Sequence, residues 1–187
     1  MRIIIEGCDK SGKSTLIEAL KNKIPSLIEL KLLTKPKDGS DESLKYIKQM
    51  YMHMADMTRS QAAHYLFDRF YPSQMVYSFK RKHDDMEDPF YWGFEKELAK
   101  TPSLYILLDV REDLLAQRFV TDGETYALPE DIKKIKDRYL DHYEKCQLNK
   151  FKIDPTDNLD GAVQEILSVI EEILTVKTID FSKPIEK

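Results

Sequence analysis

The sequence predicts an α/β protein in which a parallel sheet is covered by helices on both faces, and three observations carry that reading. Short runs rich in apolar and β-branched residues alternate with longer segments whose apolar residues return at helical spacing. The first of them, Met1 to Glu6, is apolar and Ile-rich, which suits a strand buried on both faces. The 187 residues are 42% apolar with only 6 Gly and 8 Pro, and no linker, low-complexity tract or solenoid-period repeat divides them. One domain spanning residues 1–187 is therefore expected.

The elements follow in order. Met1 to Glu6, with Ile3-Ile4-Ile5 at its centre, reads as the first strand, and Leu16, Ala19, Leu20 and Ile24 then mark a helix. Leu27 to Leu33, Ala63 to Phe67, Ser103 to Asp109 and Lys150 to Asp154 read as the other strands, giving five in all. Between them, Leu44, Ile47, Tyr51, Met54, Ala55 and Thr58 share one helical face. Ile132, Ile135, Tyr139, Tyr143 and Cys146 share a second, and Leu159, Val163, Ile166, Leu167, Ile170 and Ile173 a third. Strands alternating with helices imply crossover connections, and ligands then gather at the carboxyl ends of the strands.

The residues at those ends carry the chemistry. Directly after the first strand, Gly7-Cys8-Asp9-Lys10-Ser11-Gly12-Lys13-Ser14-Thr15 fits the spacing G-x-x-x-x-G-K-[ST] that cradles phosphate. The glycines let backbone N–H groups turn inward, Lys13 reaches the outer phosphates, and the Ser14 hydroxyl is placed to ligate Mg²⁺. Strand, loop and helix occur in the required order, so the expected architecture is the three-layer P-loop NTPase fold with a five-stranded parallel sheet. After the third strand, Asp68 and Arg69 leave the sheet edge together. They form either a structural ion pair or a site in which Asp68 holds Mg²⁺ through water while Arg69 clamps a second phosphate. Asp109 ends the fourth strand where other P-loop enzymes carry a Walker-B carboxylate, secondary here to Asp68.

Charge and composition narrow the partners. A net charge of −4 opposes general affinity for nucleic acid and favours a small nucleotide. No apolar run approaches the ~20 residues of a membrane helix and no signal-peptide pattern opens the chain, so a soluble, cytoplasmic protein is expected. Cys8 and Cys146 are the only cysteines and are expected to be free thiols. The basic run Lys80-Arg81-Lys82-His83 is followed at once by acidic Asp84 to Asp88, and both read as a solvated loop. The histidines, His53, His64, His83 and His142, stand at no spacing that would pair them as ligands and are assigned no role. Trp92, among Phe90, Tyr91 and Phe94, marks a helix packed on the sheet or a subunit contact. Val176 to Lys187 shows no clear pattern.

With these residues in view, the chain resembles the thymidylate kinase family of P-loop nucleoside monophosphate kinases. Glu6-Gly7, Asp9 and the phosphate loop resemble the family's opening segment, and Asp68-Arg69-Phe70 through Ser73 and Tyr77 resembles its D-R-[YF]-x-x-S-x-x-x-Y segment. Ser103 to Val110 and Tyr139-Leu140 add weaker likeness. The resemblance implies transfer of the γ-phosphoryl group of ATP to a deoxynucleoside 5′-monophosphate, dTMP first among them. It places Gly7, Lys10, Ser11, Gly12, Lys13, Ser14 and Thr15 around ATP, Ser14 and Asp68 at Mg²⁺, and Arg69 on the acceptor phosphate. Asp9 falls near the acceptor sugar and phosphate, with Ser73 and Tyr77 on the same side. Phe70 or Tyr71 either stacks on the base or packs in the core. A homodimer is the family expectation.

The likeness also has departures. Lys10 occupies the loop place where some family members carry an extra cation, and the lid, about residues 118–130, holds a cation only at Arg118. A loop-type enzyme is expected, in which Lys10 and Arg118 share the stabilisation of the transferring group. Thr34-Lys35-Pro36-Lys37 stands for the family's T-R-E-P turn without its acid. Met54-Ala55-Asp56-Met57 matches the helix bearing the family's base-reading arginine, which puts Met57 at that arginine's place and Arg59 two positions on. Met cannot donate to a thymine carbonyl, so base identity stays open. The rival readings are a deoxynucleoside kinase acting on a sugar hydroxyl, a kinase for a modified-base nucleotide or polynucleotide, and a nucleotide-dependent switch.

Overall fold

Arg2–Gly7 (β1), Leu27–Lys31 (β2), His64–Asp68 (β3), Ser103–Leu108 (β4) and Asn149–Ile153 (β5) form one sheet ordered β2-β3-β1-β4-β5, with every pairing parallel. The computed structural model describes residues 1–31, 40–59, 63–81, 84–122 and 128–179. All five expected strands are present, with ends displaced by a residue; the last two residues expected of the second strand lie outside the described residues.

β1 and β4 hold the middle of the sheet and are buried at every residue, which is why Ile3 to Ile5 and Leu104 to Leu108 are apolar without alternation. The two-residue period of a strand still divides them by face. Ile3 and Ile5 join Leu104, Ile106 and Leu108 in one core, with Leu16, Ile17 and Leu20 of helix α1 (Lys13–Lys23) and Val163, Ile166 and Ile170 of α7 (Leu159–Ile179). Ile4, Phe67, Tyr105 and Leu107 face the opposite core. That core is filled from α2 (Asp41–Met57), α3 (Tyr71–Val76), α4 (Pro89–Ala99), α5 (Glu112–Asp122) and α6 (Ile132–Lys145). The three helical faces expected from the sequence are those of α2, α6 and α7.

Trp92 and its neighbours pack against the core. Tyr91 and Phe94 are buried in the core, and Trp92 donates Nε1–H to Met86 O while its ring stacks on His142. The solvated loop expected near residue 84 is corrected. Asp85 is 3% exposed and pairs with Arg81 at 2.8 Å, while Arg138 of α6 grips Asp84 at 2.6 Å. Arg81, Asp85 and Arg138 turn inward because each meets an opposite charge, and the carbonyls of Gln74, Met75 and Val76 accept from the two guanidinium groups as well. Lys82 and His83 lie outside the described residues. Cys8 and Cys146 are buried free thiols.

Candidate active site

The phosphate loop leaves β1 through Gly7 and enters α1 through Gly12, and both positions need glycine. Gly7 has φ 151°, and a Cβ there would stand 2.9 Å from Leu108 O; Gly12 has φ 88° at the N-cap of α1. Lys13 bends its amine back over the loop, donating to Gly7 O at 2.9 Å and Cys8 O at 2.6 Å. Burial, and then the Arg69 charge, pull the Lys13 amine down to about 7. The first-turn N–H groups of α1 open on the same space, with no acidic side chain in that turn to oppose an anion.

One cavity of about 1000 Å³ runs along this edge of the sheet. Asp9, Lys10, Ser11, Gly12, Lys13, Ser14 and Thr15 line it, and so do Asp68, Arg69 and Arg118. The tertiary structure thus brings together ten residues singled out from the sequence. Lys31, Pro155, Thr156 and Leu159 complete the lining and were not singled out. Lys31 ends β2, Pro155 and Thr156 follow β5 and Leu159 opens α7, and no motif marks these places as a site. Among the described non-glycine residues only Lys10 (φ 64°) and Arg69 (φ 67°) have positive φ, and both face the cavity. Strained backbone at a functional site is a recurrent pairing.

Arg69 is held from three sides. Its Nη2 meets Asp9 Oδ1 at 2.5 Å, its Nη1 donates to Ser73 Oγ and to Tyr139 Oη at 3.0 Å each, and its guanidinium lies 5.3 Å from the centre of the Tyr77 ring. Below it Glu6, fully buried, accepts from Phe70 N at 2.7 Å, Ser73 Oγ at 2.5 Å and Tyr139 Oη at 3.0 Å. Burial pushes the Glu6 carboxyl above the usual carboxylate range, although Arg69 and the hydrogen bonds draw it back. Arg118 of α5 donates Nη1–H to Lys10 O at 2.9 Å, tying α5 to the phosphate loop.

Ser14 and Asp68 line the same cavity and a smaller groove beside it. One hydroxyl and one carboxylate, with no cluster of three acidic, His or Cys ligands among the described residues, suit Mg²⁺, which takes few protein ligands and completes its shell with water and phosphate. Lys31 stands 3.5 Å from Asp68 Oδ2 and 3.0 Å from Glu29 Oε1, and so competes for the Asp68 carboxylate.

Other expected site residues lie elsewhere. Phe70 is 1% exposed, stacked on Phe67 at 4.2 Å and edge-on to Tyr51 at 5.0 Å, so it is a core residue and not a base platform; Tyr71 is equally buried. Met57 and Arg59 are on the wrong edge of the sheet. Arg2, at the start of β1, donates to Ala55 O at 3.0 Å and Thr58 Oγ1 at 2.8 Å, which latches the end of α2 to the amino edge. Met57 is 70% exposed there and Arg59 pairs with Asp56 at 3.0 Å, a strand length of about 20 Å from the phosphate loop. Asp109 pairs with Lys136 at 3.0 Å and does not line the cavity. Residues 34–37 and 123–127, the expected T-R-E-P-like turn and most of the lid, lie outside the described residues.

No protein-family profile and no curated protein sequence matches the chain. Solved structures do. The YorR protein of Bacillus subtilis, in complex with phosphorylated GDP, superposes with a TM-score of 0.71 at 20% identity, over 91% of this chain and 96% of its own. Thymidylate kinase from Candida albicans gives 0.64 at 19% identity, over 91% of each chain. Deoxyadenosine kinase from M. mycoides, with dCMP and a flexible dCDP bound, gives 0.57 at 16%, over 92% of this chain and 100% of its own. At such identities the likeness is one of fold alone.

Proposed function

We propose that the protein is an ATP-dependent kinase whose acceptor is a deoxynucleoside 5′-monophosphate, with dTMP the first candidate. The observation that carries this reading is the shared cavity: Arg69, leaving the sheet at β3, faces the same space as the phosphate loop and Lys13. A cradle for one polyanion beside a planar guanidinium fork fits a reaction between two phosphate groups, which repel unless cations stand between them. An oxygen of the acceptor phosphate bonds to the γ-phosphorus of ATP, the bond to the β–γ bridging oxygen breaks, and ADP leaves with that electron pair.

The chain's residues divide the work. Loop N–H groups, Lys13 and the amino end of α1 hold the ATP phosphates, Arg69 orients the acceptor, and Lys10 with Arg118 supports charge at the transferring group. Asp9 anchors Arg69 through Oδ1, which fixes the fork relative to the phosphate loop. Ser14 and Asp68 would hold Mg²⁺, which when bound neutralises charge on the phosphates. The likeness to nucleotide and nucleoside kinases supports this reading.

Incubation with ATP, Mg²⁺ and each natural or modified deoxynucleoside monophosphate, with the diphosphate detected directly, tests it. A diphosphate product is expected. Product from thymidine in preference to dTMP would instead establish the nucleoside kinase, and ATP hydrolysis independent of any acceptor would establish a switch.

A further inference from the structure

The acidic residue of β1 has no part in the motif that follows it, yet it sits at the centre of the site's most ordered hydrogen-bond network. Glu6 is 0% exposed and lies on the strand between the two cores. Its Oε1 receives the N–H groups of Phe70 and Ser73 at 2.7 and 3.3 Å, so it closes the turn that carries the chain from Arg69 into α3. Its Oε2 receives the hydroxyls of Ser73 and Tyr139 at 2.5 and 3.0 Å.

Each of those hydroxyls has one proton to give. The two hydroxyl oxygens also lie 2.9 Å from each other, so their protons go to the carboxylate or to one another, which leaves lone pairs on Ser73 Oγ and Tyr139 Oη for the guanidinium. Both lone pairs are met by Arg69 Nη1, at 3.0 Å in each case. The other arm of the fork is fixed by Asp9. We infer that Glu6 is a positioning residue that aims Arg69, acting through the hydroxyls of Ser73 and Tyr139, whose protons it commits away from the guanidinium.

A backbone-holding role alone would not require this. Gln in place of Glu6 keeps the shape and one carbonyl acceptor for Phe70 N–H, but its NH₂ donates toward the two hydroxyls. The two hydroxyl oxygens then accept from the amide, one of their protons can still pass between them at 2.9 Å, and the other is left to turn toward Arg69, a cation with no acceptor. Through the Proposed function, the ligand affected is the acceptor phosphate; the proton ordering itself does not depend on that reading.

Solution NMR of the Arg69 guanidinium reads the aim directly. In the wild-type protein the two ends of the fork are expected to give separate, slowly exchanging signals, and in Glu6→Gln those signals are expected to merge as solvent exchange quickens by about tenfold. Tyr139→Phe, which removes one of the two hydroxyls, serves where Glu6→Gln does not fold and is expected to shift the same signals in the same direction. Unchanged Arg69 signals in every folded variant would overturn the inference. Titration with dTMP and with thymidine adds the functional arm: Glu6→Gln should weaken dTMP by roughly tenfold or more while thymidine changes by less than about twofold. Equal losses for both ligands would mean a general loosening and would also overturn it. If wild-type protein binds no deoxynucleoside monophosphate, the proposed function fails, and the NMR signals still decide the role of Glu6.

Discussion

Arg69 Nη2 meets Asp9 Oδ1 at 2.5 Å, a bond that joins the edge of β3 to the phosphate loop across 60 residues of sequence. The second Asp9 oxygen, Oδ2, is buried and accepts no hydrogen bond among the described residues. The cation assigned to the acceptor and the loop assigned to ATP are therefore one mechanical unit. Arg69→Lys keeps the charge but has no fork to span Asp9, Ser73 and Tyr139 at once. We expect kcat/KM for the acceptor to fall by about 100-fold, with the KM for ATP little changed. Steady-state kinetics with each substrate varied in turn measures both.

Lys13 supplies a pH signature. Its amine, normally near 10.5, is drawn down to about 7 by burial and by Arg69, so above pH 7 the ligand-free protein holds it largely neutral. Phosphate oxygens favour the charged amine. ATP binding at pH 8 should therefore take up protons from the buffer, and the uptake should vanish in Lys13→Met. Titration calorimetry in two buffers of different ionisation heat measures it; proton release would contradict the assignment.

Arg118 and Lys10 are joined through the Lys10 carbonyl at 2.9 Å. Arg118→Ala removes a cation and the tether together, so turnover should drop by about 10- to 100-fold, and Lys10→Ala should drop it by a similar factor. Pre-steady-state measurement of the chemical step is the check. If both variants turn over like wild type, neither side chain stabilises the transferring group. Lys10→Gly, which suits φ 64°, should also raise stability by about 1 kcal/mol, read from urea unfolding.

His142 is fully buried against Trp92 and Tyr105, with Glu95 Oε2 3.5 Å from its Nε2 and no hydrogen bond to either ring nitrogen among the described residues. Burial pulls its pKa from 6.5 down to about 3. Between those values the unfolded chain binds the extra proton, so stability is fully held above pH 6.5 and falls as the pH drops toward 3. The loss should amount to a few kcal/mol, on the order of the shift itself. Urea unfolding across this range should show a shallower slope in His142→Leu than in wild type.

Position on the sheet separates two residues that the family resemblance placed together. Met57→Ala, at the amino edge, should leave kinetics within about twofold of wild type. Phe70→Ala should instead cost about 3–5 kcal/mol of folding stability, because it empties a site ringed by Phe67, Tyr51, Tyr71 and Phe94. Kinetics for the first and chemical denaturation for the second distinguish an edge residue from a core one.

Much of this molecule was legible before folding. The two central strands announce themselves by the runs Ile3 to Ile5 and Leu104 to Leu108, since strands buried on both faces leave no room for alternation, and the outer strands by apolar enrichment between turn signals. The phosphate loop is legible because its chemistry is local: two glycines, a lysine and a serine act within one turn of chain. Asp68 and Arg69 were legible only as a pair with two uses, because whether they face a ligand depends on what packs opposite them. The placement of Met57 and Arg59 failed for the same reason. A helix pattern says which residues share a face, but which end of the helix lies near the carboxyl edge was decided by Arg2, which fastens the last turn of α2 to the start of β1.

Glu6 makes the division sharpest. In sequence it is one carboxylate after three isoleucines, and nothing nearby in the chain explains it. Its partners come from positions 70, 73 and 139, which meet only when β3 and α6 close over β1. Sequence alone determined the layered architecture and the cradle, because those rest on hydrophobic period and on contacts between near neighbours. Tertiary structure decided which charges are buried, which way their protons point and which side chains share the cavity, because desolvation and pairing depend on distances that chain order does not contain.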